Sequence, residues 1–128
     1  MNPKVLTSSE TMNITTTQRQ ALETKIKAVA DAAGEKLHKQ YPNMQFMYEI
    51  RPGKKYYKVV TGHVTGLAEN APTQWSAWCF VDATTGDVYK PASWKAPAKH
   101  VRYNLFNEDS YNKALEKADP YGSWLYMN

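Results

Sequence analysis

The hydrophobic period of this chain changes once, at a proline, and that change limits the folds open to it. Leu22, Ile26, Val29, Ala33 and Leu37 recur in steps of four, three, four and four, which places them on one face of a helix. Lys25, Lys27, Asp31, Glu35 and Lys36 fall off that stripe. Tyr41-Pro42-Asn43 follows, and a residue before proline avoids the α region, so the helix is expected to end there. From Met44 the period is two. Met44, Phe46, Tyr48 and Ile50 alternate with Gln45, Met47, Glu49 and Arg51, the pattern of a half-buried strand. One apolar helix face next to one apolar strand face is buried most simply by laying the helix across a sheet.

The remaining elements extend that arrangement. Thr17-Gln18-Arg19-Gln20 has capping-box spacing and is read as the helix start. Residues 1–14 are polar and aperiodic and are expected to be a flexible arm, leaving 15–128 as a single α+β domain. Arg51-Pro52-Gly53-Lys54 reads as a turn, with Gly53 at the positive angle. A second strand should run from Tyr56 to about Val64, with Gly62 and Gly66 marking a bulge near its end. Residues 67–74 read as a loop. The third strand, Trp75 to Asp82, is apolar on both faces except at Ser76, as a central strand would be. Ala83 to Asp87 closes a second hairpin, and a short fourth strand runs from Val88 to Pro91. Asn107 reads as the N-cap of a short helix, with Glu108 and Asp109 in its first turn. The terminal Ser123-Trp124-Leu125-Tyr126-Met127 is too apolar to dangle and should pack back, as an edge strand. The fold class expected is therefore α+β: an N-terminal helix packed on an antiparallel sheet of about four strands in two hairpins, with a short C-terminal helix and tail.

At 128 residues such a domain can bury enough surface to need no staples. The single cysteine, Cys79, excludes an internal disulfide and, within an apolar run, reads as a small core residue. The N-terminal MNPKVLTSSETMN lacks the apolar core of a signal peptide. No apolar run approaches the ~20 residues of a membrane span. His38, His63 and His100 are far apart, without partners at ligand spacing. No serine sits in a nucleophile elbow, and no glycine-rich phosphate loop exists. Glu49, Glu69, Asp82 and Asp87 are scattered over strands and turns. No metal, cofactor or catalytic constellation is expected.

One segment stands apart. VYKPASWKAPAKHVRYNLF, residues 88–106, carries Lys90, Lys95, Lys99, His100 and Arg102 with no acidic residue, with Trp94 among them and Tyr103 and Phe106 just after. Its three Lys and one Arg equal the net charge of the whole chain, +4. Cations attract phosphates, and aromatic faces stack on bases or take cations. The candidate partner-binding residues are Lys90, Trp94, Lys95, Lys99, His100, Arg102 and Tyr103. The competing reading is that Trp94 and Phe106 plug the core and the lysines are merely solvated. A second basic group, Arg51, Lys54, Lys55 and Lys58, lies around the first turn, where lysines commonly keep sheet edges soluble.

Two resemblances enter here. Phe80-Val81-Asp82-Ala83-Thr84-Thr85-Gly86-Asp87-Val88-Tyr89 resembles the strand–turn–strand of PepSY and cystatin-like domains, which implies a helix against an antiparallel sheet. The longer run Ala77 to Arg102, with Lys-Pro-Ala-Ser-Trp-Lys-Ala-Pro-Ala-Lys at its centre, resembles a recurrent segment of small proteins encoded by tailed bacteriophages. That family has no settled activity, so the resemblance implies an origin and no mechanism. The expectation is a phage-encoded, non-catalytic binding protein in the host cytoplasm. It would engage an anionic partner (nucleic acid, nucleotide or acidic host protein) and no membrane. Two alternatives stand beside it: a virion or assembly component that self-associates through its Tyr and Trp surplus and apolar tail, and a small enzyme with an unrecognised site.

Overall fold

The computed structural model describes residues 8–65 and 75–126, with side chains described at all of these but 8–16, 45 and 63–65. Residues 1–7 of the expected arm, Gly66 and the loop at 67–74 lie outside the described residues. The element order is α1 (Ser8–Gln40), β1 (Met44–Arg51), β2 (Tyr56–Thr65), β3 (Ser76–Asp82), β4 (Asp87–Tyr89), β5 (Tyr103–Asn104), α2 (Glu108–Lys117) and a 3-10 helix at Ser123–Leu125. The five strands form one antiparallel sheet in the order β1-β2-β3-β4-β5. The fold is α+β, as the change of period implies.

The helical stripe is the core. Leu22, Ile26, Val29, Ala30, Ala33 and Leu37 are all buried. They share one cluster, Leu37 aside, with Tyr57 and Val59 of β2, Cys79 and Val81 of β3, and Val88 of β4, with Phe46, Tyr48 and Ile50 of β1 packed against it. Strand alternation explains the choice of residues: Ile50 pairs with Val59, Val59 with Cys79, and Val81 with Val88, so these side chains share the face under α1. Close approach of helix to sheet is set at Gly34, where a Cβ would lie 3.2 Å from the Phe46 ring.

Trp78 and Cys79 are neighbours in β3, yet both belong to the core. A register shift between Val59 and Val60 accounts for this: Val59 pairs with Cys79 and Val60 with Ala77, which leaves Trp78 without an opposite number. Such a bulge re-aims a side chain. Trp78 thereby reaches Trp124, ring centroids 5.0 Å apart, and its Nε1 donates to the Asp119 carbonyl at 3.0 Å. The bulge expected near Gly62 is thus opposite Val59–Val60 instead, and its purpose is to anchor the C-terminal tail.

That tail packs inward, but not as an edge strand. Trp124 and Leu125 are buried. The Asp119 carboxylate accepts from the backbone N–H groups of Tyr121, Ser123 and Trp124, which satisfies donors that a strand would present to a neighbouring strand. Local side-chain bonding of this kind competes with sheet formation. The strand beyond β4 is instead the two-residue β5, in which Val88 pairs with Tyr103. Two further readings are corrected. Helix α1 begins at Ser8 and not at Thr17, so the capping-box spacing lies inside it, and the stretch read as a flexible arm is helical from Ser8 onward. Gly53 is not among the positive-φ residues; a Cβ there would meet the Tyr56 carbonyl at 2.7 Å, so crowding favours glycine. Asn107 is the N-cap of α2, its side chain accepting from the Ser110 N–H at 2.9 Å.

The second hairpin is held by its own turn. Asp82 Oδ1 accepts from the N–H groups of Thr84 and Thr85. Gly86 sits at φ 77°, with the Phe106 ring so close that a Cβ would lie 2.7 Å from it. Gly86→Ala is therefore expected to lose about 1–2 kcal/mol for the left-handed backbone, plus the clash. In urea denaturation, Gly86→Ala combined with Phe106→Ala should be less destabilised than the sum of the single changes, because the second removes the clash. Strict additivity would contradict the contact. Leu22→Ala, at a fully buried position, should cost about 2–5 kcal/mol by the same measurement.

Candidate functional site

The face of the sheet opposite α1 carries a row of paired residues. Arg51 of β1 lies opposite Lys58 of β2, Lys58 opposite Phe80 of β3, and Phe80 opposite Tyr89 of β4. Alternation puts Lys58 here because its neighbours Tyr57 and Val59 face the core. Tyr56, Phe80 and Tyr89 form an edge-to-face cluster, with Tyr56 6.2 Å from Phe80 and 5.9 Å from Tyr89.

The basic aromatic segment folds onto this face. Pro91 and Pro97 form an isolated bridge. Within it the Ala92 and Ser93 N–H groups both donate to the Ala96 carbonyl, and just beyond it the Ala98 N–H donates to the Lys90 carbonyl at 2.7 Å. The result is a closed loop with Trp94 and Lys95 at its tip. A loop bonded within itself and bounded by two prolines has little entropy left to lose. Trp94 is 42% exposed and its ring rests on cations, with Lys58 Nζ 3.5 Å and the Arg51 guanidinium 5.7 Å from its centroid. The core-plug reading of Trp94 is corrected by this exposure. Trp94 is a half-open aromatic plate laid over two cations.

Lys95 completes the cluster. The ammonium of Lys58 is held below its ordinary pKa, first by partial burial and then by the positive charges of Arg51 and Lys95. The carboxylate seen to answer them is Glu49, 2.6 Å from Arg51 Nε. Among the described residues one carboxylate is paired within this group of three cations; like charges repel one another, and an anion placed among them would relieve that repulsion.

The residues marked in the sequence divide accordingly. Trp94 and Lys95 are in the cluster. Lys90 is directed elsewhere, its Nζ 4.3 Å from the Tyr126 ring centroid. Lys99 and His100 are exposed. His100 has φ 76°, the one non-glycine residue at positive φ among those described, and this left-handed step turns the chain from the loop toward β5. Arg102 is half-buried, and its N–H donates to the Val88 carbonyl at 2.7 Å. Tyr103 is a correction. It is 5% exposed, its ring stacks on Trp124 at 5.1 Å, and its OH donates to the Trp124 carbonyl. The pairing of β5 with β4 turns it toward the core and away from the Trp94 loop. Arg51 and Lys58 are the site residues that the sequence did not mark; they were read as charges at a hairpin, and only the register places them beneath Trp94.

Burial pushes the Cys79 thiol far above its usual range, so it is no nucleophile at neutral pH. Among the described residues no group of three or more His, Cys, Asp or Glu could hold a metal ion, and no helix is long and apolar enough to cross a membrane.

Fold and site together define a class: a helix-on-sheet α+β domain that presents a cation–aromatic cluster on the sheet face opposite its long helix. The chain belongs to DUF7717, a family of unknown function, whose model matches residues 4–127. Neither the curated proteins nor the solved structures contain a significant match to it.

The unfolded chain binds the Lys58 proton more readily than the folded one. This group's contribution to stability therefore rises as pH climbs through the lowered pKa toward the ordinary value. Arg51→Gln or Lys95→Gln should move the Lys58 pKa upward, as followed by NMR of the lysine side-chain signals through an alkaline titration. An unchanged value in both variants would show that the three charges do not sense one another.

Proposed function

We propose that this protein is a non-catalytic binding protein that engages an anionic partner through Arg51, Lys58, Trp94 and Lys95. The resemblance of Ala77 to Arg102 to small phage-encoded proteins favours action in an infected cell, in the host cytoplasm. The observation that carries the reading is the seating of Trp94 on Lys58 and Arg51 beside Lys95. Like charges brought close enough to lower the Lys58 pKa favour an incoming anion. The exposed part of the Trp94 ring adds a stacking surface, so a flexible single strand of nucleic acid uses more of these features than a nucleotide or an acidic peptide does. For the alternative of a virion component assembling through the tail, Trp124 and Leu125 are occupied within the domain, and Tyr121 and Tyr126 are the exposed residues it would use.

The test is fluorescence anisotropy with a short labelled single-stranded oligonucleotide, beside a labelled polyglutamate peptide. Oligonucleotide affinity should fall steeply with salt, since binding releases counterions. Lys58→Glu with Lys95→Glu should weaken it at least about tenfold, since like charges then face the phosphates. Trp94→Ala should cost about 1–3 kcal/mol toward the oligonucleotide and little toward polyglutamate. Circular dichroism should show all variants folded. Failure of both probes to bind at low salt, or binding indifferent to the double charge reversal, would overturn the reading.

A further inference from the structure

Among the described residues, the ion pair at the cation cluster joins Glu49 to Arg51. A carboxylate beside an anion site has the look of a competitor for the cation. The geometry of this contact gives it another role. Strand alternation puts residues 49 and 51 of β1 on the same outward face, opposite Val60 and Lys58 of β2. Glu49 Oε1 accepts from Arg51 Nε at 2.6 Å, a short, charge-assisted bond. Glu49 therefore takes the guanidinium at the nitrogen nearest its stem. Four of the five donors of an arginine lie beyond that nitrogen, on Nη1 and Nη2. Among the described residues nothing accepts from either. The far end of the group is a planar fork, open to paired oxygens such as those of a phosphate.

The fork is also held in place. The Arg51 guanidinium stands 5.7 Å from the Trp94 ring centroid, and Val60, opposite Glu49, is fully buried, so the pair lies over a filled part of the sheet. The Arg51 side chain is nevertheless 40% exposed. An arginine at that exposure, if nothing held it, would have to be ordered by the partner, at a cost of about two- to tenfold in affinity.

We infer that Glu49 is a positioning residue of the anion site. It fixes Arg51 by Nε so that Nη1 and Nη2 are presented together to a phosphate of the single strand that stacks on Trp94. The inference rests on the anion-binding reading of Arg51, Lys58, Trp94 and Lys95. Its sign is the reverse of what charge alone gives, since here an acidic side chain assists a negatively charged partner.

Fluorescence anisotropy with the labelled single-stranded oligonucleotide tests it on paired variants. Glu49→Gln and Glu49→Ala remove the same charge, but Glu49→Gln keeps an oxygen that can accept from Arg51 Nε. Glu49→Gln should bind about two- to tenfold more tightly than Glu49→Ala. Arg51→Lys keeps the positive charge without the fork. It should weaken binding by itself, and in that background the difference between Glu49→Gln and Glu49→Ala should vanish. A role of Glu49 confined to the stability of the strand would leave the difference in place. Glu49→Ala binding as tightly as Glu49→Gln overturns the inference, and so does a difference that survives Arg51→Lys. Either result leaves the anion site standing if Lys58→Glu with Lys95→Glu still weakens binding. A wild-type protein that does not bind the oligonucleotide overturns the site and the inference together.

Discussion

Leu22, Ile26, Val29 and Leu37 take one side of the sheet for α1, and this burial decides what the other surfaces are free to do. Every strand then has an inward set, with Phe46, Val59, Cys79, Val81 and Val88 among its members, and an outward set. The bulge at Trp78 is the exception that closes the molecule, because it lets β3 hold the C-terminal tail as well as the helix. With the tail locked by Asp119 and the second hairpin by Asp82, the loop between Pro91 and Pro97 folds over the sheet face opposite α1.

Assembly of the cation–aromatic cluster depends on that division. Arg51 and Lys58 are adjacent only because β1 and β2 pair in one register, and both face outward only because Val59 and Ile50 face inward. A slip of one residue would send the two cations to the helix side. The Pro91–Pro97 bridge then presents Trp94 to them. The order of dependence runs from the apolar period, to the register, to the charge pair, to the seat of the tryptophan. The anion site is in this sense a consequence of the core.

Much of this was legible in the residues. The periods of 3.6 and two placed α1, β1, β2 and β3, and the double-sided apolarity of β3 placed it centrally, because local patterning and tertiary burial agree there. Asn107 announced its helix by its chemistry. The exact start of α1 was not legible, since hydroxyl and amide residues at capping spacing also occur within helices. The two-residue β5 was not legible either, because no period can show in two residues and Tyr103 looked like one more aromatic among cations. For the site, the basic aromatic segment pointed to Trp94 and Lys95. The contribution of Arg51 and Lys58 could not be read, since it rests on a contact between residues more than thirty positions apart in the chain.

Chemical-shift mapping by two-dimensional NMR, as a short single-stranded oligonucleotide is added at low salt, bears most directly on the central claim. The account predicts that the largest perturbations fall together on the Trp94 indole N–H, the Arg51 guanidinium and the backbone of Lys58 and Lys95, while the Trp78 and Trp124 indoles stay still. Perturbations centred on the exposed side of α1, or spread evenly over every exposed lysine, would contradict it.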